Sequence, residues 1–370
     1  MENRIDDMLE ERTAADEAYE KKVNSEIRSG MIRTIYSRVL IVFLAITLIS
    51  MGGYSAYLTY RESHAFHLDQ FESLADTEAI PDEAARSEVN TSFLIQCYYE
   101  ITRPGYYIYS AGTDQAVQES YETYRMEQLK LVHYFRTNKE LRSSSVIDSV
   151  HVTRFQDGEY YSAYEGDFWL EEEPYSWWGD TDEYKDIVKR SIPSPTDELS
   201  DLPDSASAEL EFLFKEDMSV EEMLAFAKEY PESEVLFALT GISDDGYTPE
   251  GFSLLFGSCN MAFSKEAMNK YPMVGMTSDL TMSNAVPKYT AEDYVTHYKS
   301  VLSLLISNRF GYPYEIEQWQ KRLDELEKGE ELHVKGIRII SSKSDALNLT
   351  QDERIQDLHI LDMKMNRFDN

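Results

Sequence analysis

Residues 37–60 read "SRVLIVFLAITLISMGGYSAYLTY", and from Val39 to Tyr60 no residue carries a charge. At 1.5 Å of rise per residue these 22 residues would cover about 33 Å, the hydrocarbon thickness of a bilayer. A secretory signal has an apolar run of ~7–15 residues and a small-x-small cleavage site. Here the run is longer, some 37 residues precede it, and Gly53-Tyr54-Ser55 is a poor cleavage site. The segment is therefore expected to be an uncleaved transmembrane helix.

Its flanks predict the orientation, because positive residues close to a span stay on the cytoplasmic side. Lys21, Lys22, Arg28, Arg33 and Arg38 precede the span, whereas Arg61 stands nearly alone after it until Arg86. The N terminus is expected in the cytoplasm and the 310 residues after Tyr60 outside it, with the chain held in the lipid of the cell membrane. Tyr36, Tyr54, Tyr57 and Tyr60 fall at the two interfaces, where amphipathic rings are favoured.

The charge is lopsided. There are 68 acids against 35 bases, and from Arg61 onward 59 acids face 28 bases, a net of −31. A field of that sign repels phosphate backbones, which argues against nucleic acid as a partner of the larger piece. The two cysteines, Cys97 and Cys259, both follow the span; two separate buried thiols are the default reading, and a disulfide between them is the alternative if this part lies outside the cytoplasm.

The first 37 residues carry an apolar ladder every four residues, Ala15, Tyr19, Val23, Ile27, Met31 and Ile35, acidic before Lys21 and basic from it on. That pattern predicts a one-sided helix with Gly30 as its break. A narrow stripe without a partner is marginal in water, so it either docks in a groove of another protein or lies against the membrane.

Beyond the span, 61–92 read as an acidic stalk. A β-rich unit is expected over 93–191: "SFLIQCYYE" and "GYYIYS" as strands, a helix at about Gln115–Leu141, and a hairpin turning at Asp157-Gly158. Residues 192–207, "IPSPTDELSDLPDSAS", read as a linker. Over 208–366 strands and helices intersperse: "AELEFLF", a helix capped by Ser219 with Glu222 in the box position, "EVLFALTGI", "GFSLLFGS", two helices, "HVKGIRIISS" and "DLHILDMK". The fold class expected is α+β: a short cytoplasmic helix over 1–37, a single transmembrane helix over 38–60, and a large extracytoplasmic α+β region.

Chemistry is sparse. No phosphate-binding glycine loop and no metalloprotease histidine spacing occurs; His64 and His67 are three apart but have no third ligand at a clear spacing. No catalytic residue, cofactor or metal is expected, and the chain is not expected to be an enzyme. One cluster stands out, Trp169, Trp177 and Trp178 interleaved with Asp167, Glu171, Glu172, Glu173, Asp180 and Asp182. Aromatic planes beside carboxylates suit a sugar or a cationic peptide, while inward rings on a charged strand account for the same pattern.

Two stretches carry a resemblance: the charged lead into the span, roughly Glu26 to Tyr60, and 208–364 with "AELEFLFKEDMSVEEMLAF", "SEVLFALTGI", "YVTHYKSVLSLL" and "VKGIRIISSKSDALNLTQDERIQDLHILDMK". They resemble the membrane-bound anti-sigma factors of Gram-positive bacteria, with the N-terminal and C-terminal domains of the sigma factor regulator family. The resemblance rests on hydrophobic spacing rather than on a chemical signature, and 115–207 match least. It implies a cytoplasmic segment that restrains an extracytoplasmic-function sigma factor and an outer domain that senses an envelope condition. The sigma contact would use Ala15, Tyr19, Val23, Ile27 and Met31 flanked by Lys21, Lys22 and Arg28. The inner segment departs from the family by being short for a sigma clamp, which implies help from a second small membrane protein or the membrane surface. The competing expectation is a surface-anchored module that binds an envelope polymer or peptide through Trp169, Trp177 and Trp178, with the inner segment a tether.

Overall fold

The computed structural model describes residues 2–63, 74, 83–120, 123–133, 149–155, 160–165, 194–242, 249–254, 264–275 and 289–365. The chain divides into two compact units, Met1–Ala65 and Phe66–Asn370. It is α+β, with one long apolar N-terminal helix and a sheet-rich C-terminal region.

The first unit is a single helix, α1 (Glu2–Ser63), which runs through Gly30 without interruption. The expected break is absent because one glycine costs a helix only ~1 kcal/mol relative to alanine, and good helix formers flank it on both sides. Val39 to Tyr60 lie inside this helix, which is long and apolar enough to cross a membrane. Its threonines at 34, 47 and 59 are satisfied locally: Thr34 donates to the Gly30 carbonyl at 2.9 Å, Thr47 to Phe43 at 2.9 Å and Thr59 to Ser55 at 3.1 Å. Such bonds let a hydroxyl enter an apolar phase without an unmet polar group.

In the second unit the first helix among the described residues is α2 (Glu83–Thr102). "SFLIQCYYE" is thus helix rather than strand, and the stalk assigned to 61–92 ends in the helix's first turns. Phe93, Leu94, Ile95, Cys97, Tyr98, Tyr99 and Ile101 are all buried. A helix apolar on every side carries no 3.6-residue period, so a short apolar run reads equally as a strand. Then come β1 (Tyr106–Ser120), β2 (Thr123–His133), β3 (Ser149–Phe155) and β4 (Tyr160–Glu165), an antiparallel meander in that order. The helix expected at 115–141 is instead β1 and β2 where it is described, paired from Tyr106↔His133 to Ser120↔Thr123. Tertiary pairing overrides the helical propensity of its Glu, Gln, Met and Leu residues. The hairpin is present, with Phe155 opposite Tyr160; its Asp157-Gly158 turn lies outside the described residues.

The expected linker holds α3 (Pro195–Ser200), with Leu199 buried, and the start of β5 (Ala206–Ser219). Lys343 clamps it by donating to the carbonyls of Ser200 at 3.1 Å and Leu202 at 2.5 Å. After β5 follow α4 (Val220–Ala227), β6 (Ser233–Ile242), β7 (Pro249–Ser253), α5 (Lys265–Lys270), α6 (Ala291–Ser307), α7 (Pro313–Glu327), β8 (His333–Ser342), α8 (Lys343–Leu349) and β9 (Ile355–Met365). The expected capping box is formed: the Glu222 backbone N–H donates to Ser219 Oγ at 3.2 Å and the Ser219 N–H to Glu222 Oε2 at 2.8 Å. Thr290 and Asp293 start α6 in the same way.

These strands make an antiparallel sheet of order β7-β6-β8-β5-β9. Along β5 the side chains alternate. Ala208, Leu210, Phe212 and Phe214 face one side, where the Phe226 ring of α4 lies 6.1 Å from Phe212 and 5.2 Å from Phe214. Phe252 of β7 meets Tyr294 and Tyr298 of α6 at 5.9 and 5.8 Å. Val152 and Tyr161 of the meander join the same core as α2 and the five-stranded sheet, so 93–165 and 208–365 do not form separate cores. Tyr161 also bridges to the α6–α7 turn, its N–H donating to the Arg309 carbonyl at 2.9 Å while Gly311 N–H donates to its own carbonyl. Gly311 (φ 147°) is confined to glycine there, since a Cβ would lie 2.6 Å from the Trp319 ring.

Candidate functional site

Two regions bear on function: the N-terminal section of α1, and the polar contacts that hold α2. On α1, Tyr19, Ile27 and Met31 are 70%, 56% and 62% exposed and Val23 is half-buried. Ala15 lies on the helix, but its side chain is outside the described residues. The continuity of α1 changes the reading of this ladder. A step of four residues overshoots one helical turn by about 40°, so Ala15 and Met31 lie about 160° apart. The ladder is therefore not one-sided as expected. Tyr19, Val23 and Ile27 stay within about 80° and share a face, whereas Ala15 and Met31 leave it in opposite directions. Lys21, Lys22 and Arg28 are exposed, but only Lys22 borders that face; Lys21 and Arg28 lie about 160° and 140° from its centre.

In the second unit, α2 is held by three polar contacts to distant parts of the chain. Tyr98 donates to Glu315 of α7, 3.1 Å from Oε1, and that buried carboxylate also accepts the Tyr312 backbone N–H at 2.8 Å, capping α7. Glu100 lies 2.5 Å from Nε2 of His297 on α6, whose Nδ1 is 2.7 Å from the Met273 carbonyl. Just past the helix, the Pro104 carbonyl accepts from Arg338 Nη1 of β8 at 2.7 Å.

Arg338 sits in an ionic centre on the sheet. Glu211, its cross-strand partner, accepts from Nη2 at 3.0 Å, and Glu209, two residues earlier on the same face, lies 3.8 Å from Nη1. All three side chains are at most 2% exposed. Two carboxylates and one guanidinium taken out of water demand this geometry, because an unmatched buried charge costs several kcal/mol.

His297 is 1% exposed. Burial favours its neutral ring, but the Glu100 charge, the hydrogen bond to it and the Met273 carbonyl outweigh burial and hold its pKa above the ordinary imidazole value. Met273 itself sits at φ 62°, a left-handed conformation that costs a non-glycine residue about 1–2 kcal/mol.

The sequence-expected ligand residues Trp169, Trp177 and Trp178 lie outside the described residues, as do His64, His67 and Cys259; Cys97 is buried in α2. Among the described residues no three His, Cys, Asp or Glu side chains gather as a metal site. Arg338, Glu209, Glu211, Glu100 and His297 were not singled out by sequence. A signal existed for three of them: Glu209 and Glu211 interrupt an apolar strand with one parity, and Arg338 does the same in "GIRII". No family model matches this chain, and no curated protein or solved structure is similar to it.

Proposed function

We propose that this protein is a single-pass membrane regulator, an anti-sigma factor. Its N-terminal helix restrains an extracytoplasmic-function sigma factor in the cytoplasm, and its C-terminal unit responds to a condition outside the membrane. The observation that carries the reading is the continuity of α1 from Glu2 to Ser63. A displacement, tilt or change of association of the apolar section reaches Tyr19, Val23 and Ile27 without a flexible joint. A lone span has few other ways to hold two states. The basic residues from Lys21 to Arg38 keep this section on the cytoplasmic side. Tyr19, Val23 and Ile27 form the centre of the sigma contact, with Lys22 at its edge; Ala15, Met31, Lys21 and Arg28 engage it only where the partner wraps around the helix.

Affinity purification of the full chain from membranes tests this. A sigma factor should co-purify, and charge substitutions at Tyr19, Val23 and Ile27 together should abolish its recovery and raise transcription of its regulon. Recovery of no sigma factor, or an unchanged regulon on deletion of residues 2–37, would sink the reading.

A further inference from the structure

We propose that the side of α1 carrying Lys21, Arg28, Met31, Ile32, Ile35 and Tyr36 is a membrane-contact face: the helix leans toward that side, sets its cations against anionic lipid headgroups, and so turns Tyr19, Val23 and Ile27 to the cytoplasm. This face requires Val39 to Tyr60 to cross the bilayer and requires nothing of a sigma factor. An α-helix turns about 100° per residue. Counted from Met31, the exposed apolar residues that lead into the span, Met31, Ile35, Val39, Ile32 and Tyr36, fall at about 0°, 40°, 80°, 100° and 140°. Gly30, Arg33, Thr34, Ser37 and Arg38 fill the opposite arc, from about 200° to 340°.

The same division continues into the cytoplasmic section. Arg28 and Lys21 lie at about 60° and 80°, in the middle of the apolar arc, whereas the acids Asp16, Glu20 and Glu26 lie at about 300°, 340° and 220°. The centre of Tyr19, Val23 and Ile27 is at about 280°, so the two faces are about 150° apart on one helix that has no break between them. An upright helix would leave Met31, Ile32, Ile35 and Tyr36 in water. A tilt within the ordinary range of about 0–40° lays that arc in the interfacial layer instead, where apolar side chains of an amphipathic helix are buried. The same tilt carries Arg28 and Lys21 toward the headgroups, whose attraction for cations extends about a Debye length, roughly 8–10 Å. Of the acids from Asp16 on, Glu17 alone shares this side, at about 40°, and it lies about 33 Å along the axis from Val39, beyond that reach.

The full chain in vesicles of phosphatidylglycerol and phosphatidylcholine tests this, with a small fluorescent amino acid encoded singly in place of Val23, Asn24, Ser25 or Glu26 and a nitroxide on the lipid headgroups of both leaflets as quencher. Positions 24 and 25 are on the membrane side, at about 20° and 120°, while 23 and 26 are at about 280° and 220°. Quenching at 24 and 25 should exceed that at 23 and 26 by about twofold or more, although 26 is the nearest of the four to the span. Lys21→Glu with Arg28→Glu should remove most of that contrast, and Lys22→Glu, at about 180°, should leave it in place. A plain order of depth from 26 to 23, equal quenching at all four positions, or a contrast that survives the double charge reversal would each overturn the contact face. A chain that fails to float with the vesicles would overturn the span itself and the contact face with it. No sigma factor enters the measurement, so its result stands apart from that contact.

Discussion

Arg338 and Glu211 face each other across β8 and β5, Nη2 3.0 Å from Oε2, with neither side chain more than 2% exposed. With Glu209 beside them, the centre holds two carboxylates for one guanidinium. The arginine also reaches the Pro104 carbonyl at 2.7 Å, so one side chain both balances charge within the sheet and fixes the end of α2.

Removing the cation should expose that dependence. Arg338→Met strands two buried carboxylates and should destabilise the C-terminal unit by about 3–5 kcal/mol. Adding Glu209→Leu and Glu211→Leu should restore most of the loss, since an apolar replacement of a whole buried ionic group is often neutral. Denaturant midpoints in detergent for the single and triple variants check both statements.

A more exposed cluster should matter less. Arg354 contacts Asp352 at 2.6 Å and Glu229 at 2.8 Å and lies 4.6 Å over the Phe226 ring, but its own side chain is 40% exposed. Its hydrogen bonds hold the Asp352 carboxyl well below the ordinary aspartate range. A depressed folded pKa gives stability that is present above the unfolded value and lost as pH falls below about 4. Asp352→Asn should cost only about 1 kcal/mol at neutral pH and flatten the acid limb of the stability curve, as acid titration followed by circular dichroism would report.

The start of α6 sets the position of His297. Thr290 caps it, its Oγ1 accepting the Asp293 N–H at 3.2 Å while the Asp293 carboxylate accepts the Thr290 N–H at 2.8 Å. Thr290→Ala should lower stability by about 1 kcal/mol. It should also raise exchange in the first turn of α6 more than in α7.

Continuity of α1 can be tested at one residue. A Cβ at Gly30 meets nothing within 4 Å, so Gly30→Ala should be accepted and stiffen the helix by about 1 kcal/mol. Gly30→Pro removes a backbone N–H and breaks or kinks the helix, at about 3 kcal/mol. Under the proposed function, a regulon reporter should lose its response to the outer unit in the proline variant and keep it in the alanine variant, with both chains still in the membrane fraction.

Much of the C-terminal half was legible because its signals are local and agree with one another. Ser219 with Glu222 marked α4, and the alternation in "AELEFLF" and "HVKGIRIISS" marked the two central strands. Residues 93–133 misled because burial on all sides erases the period of α2, and because β1 and β2 are defined by pairing with each other rather than by their own propensities. The apolar section of α1 was plain from its length. Its ladder misled in a different way, since spacing by four resembles a face over two steps and becomes a spiral over five. The α2 contacts were hidden for a simpler reason: Tyr98 and Glu315, or Glu100 and His297, lie some two hundred residues apart, and one sequence carries no record of what meets across that distance.

The strand order β7-β6-β8-β5-β9 has a consequence for how the protein is made. Strand β5 is the first of this sheet to be synthesised, yet both of its neighbours, β8 and β9, come only after α4, β6, β7, α5, α6 and α7. Until then β5 has two open edges, and only α4, which follows it directly, is at hand to cover Phe212 and Phe214. Pairings this remote in sequence close slowly, and unpaired edges invite aggregation meanwhile. Biogenesis of this chain should therefore depend on a holding chaperone during β5 exposure. Truncations ending before β8 should be degraded rather than accumulate as a folded fragment.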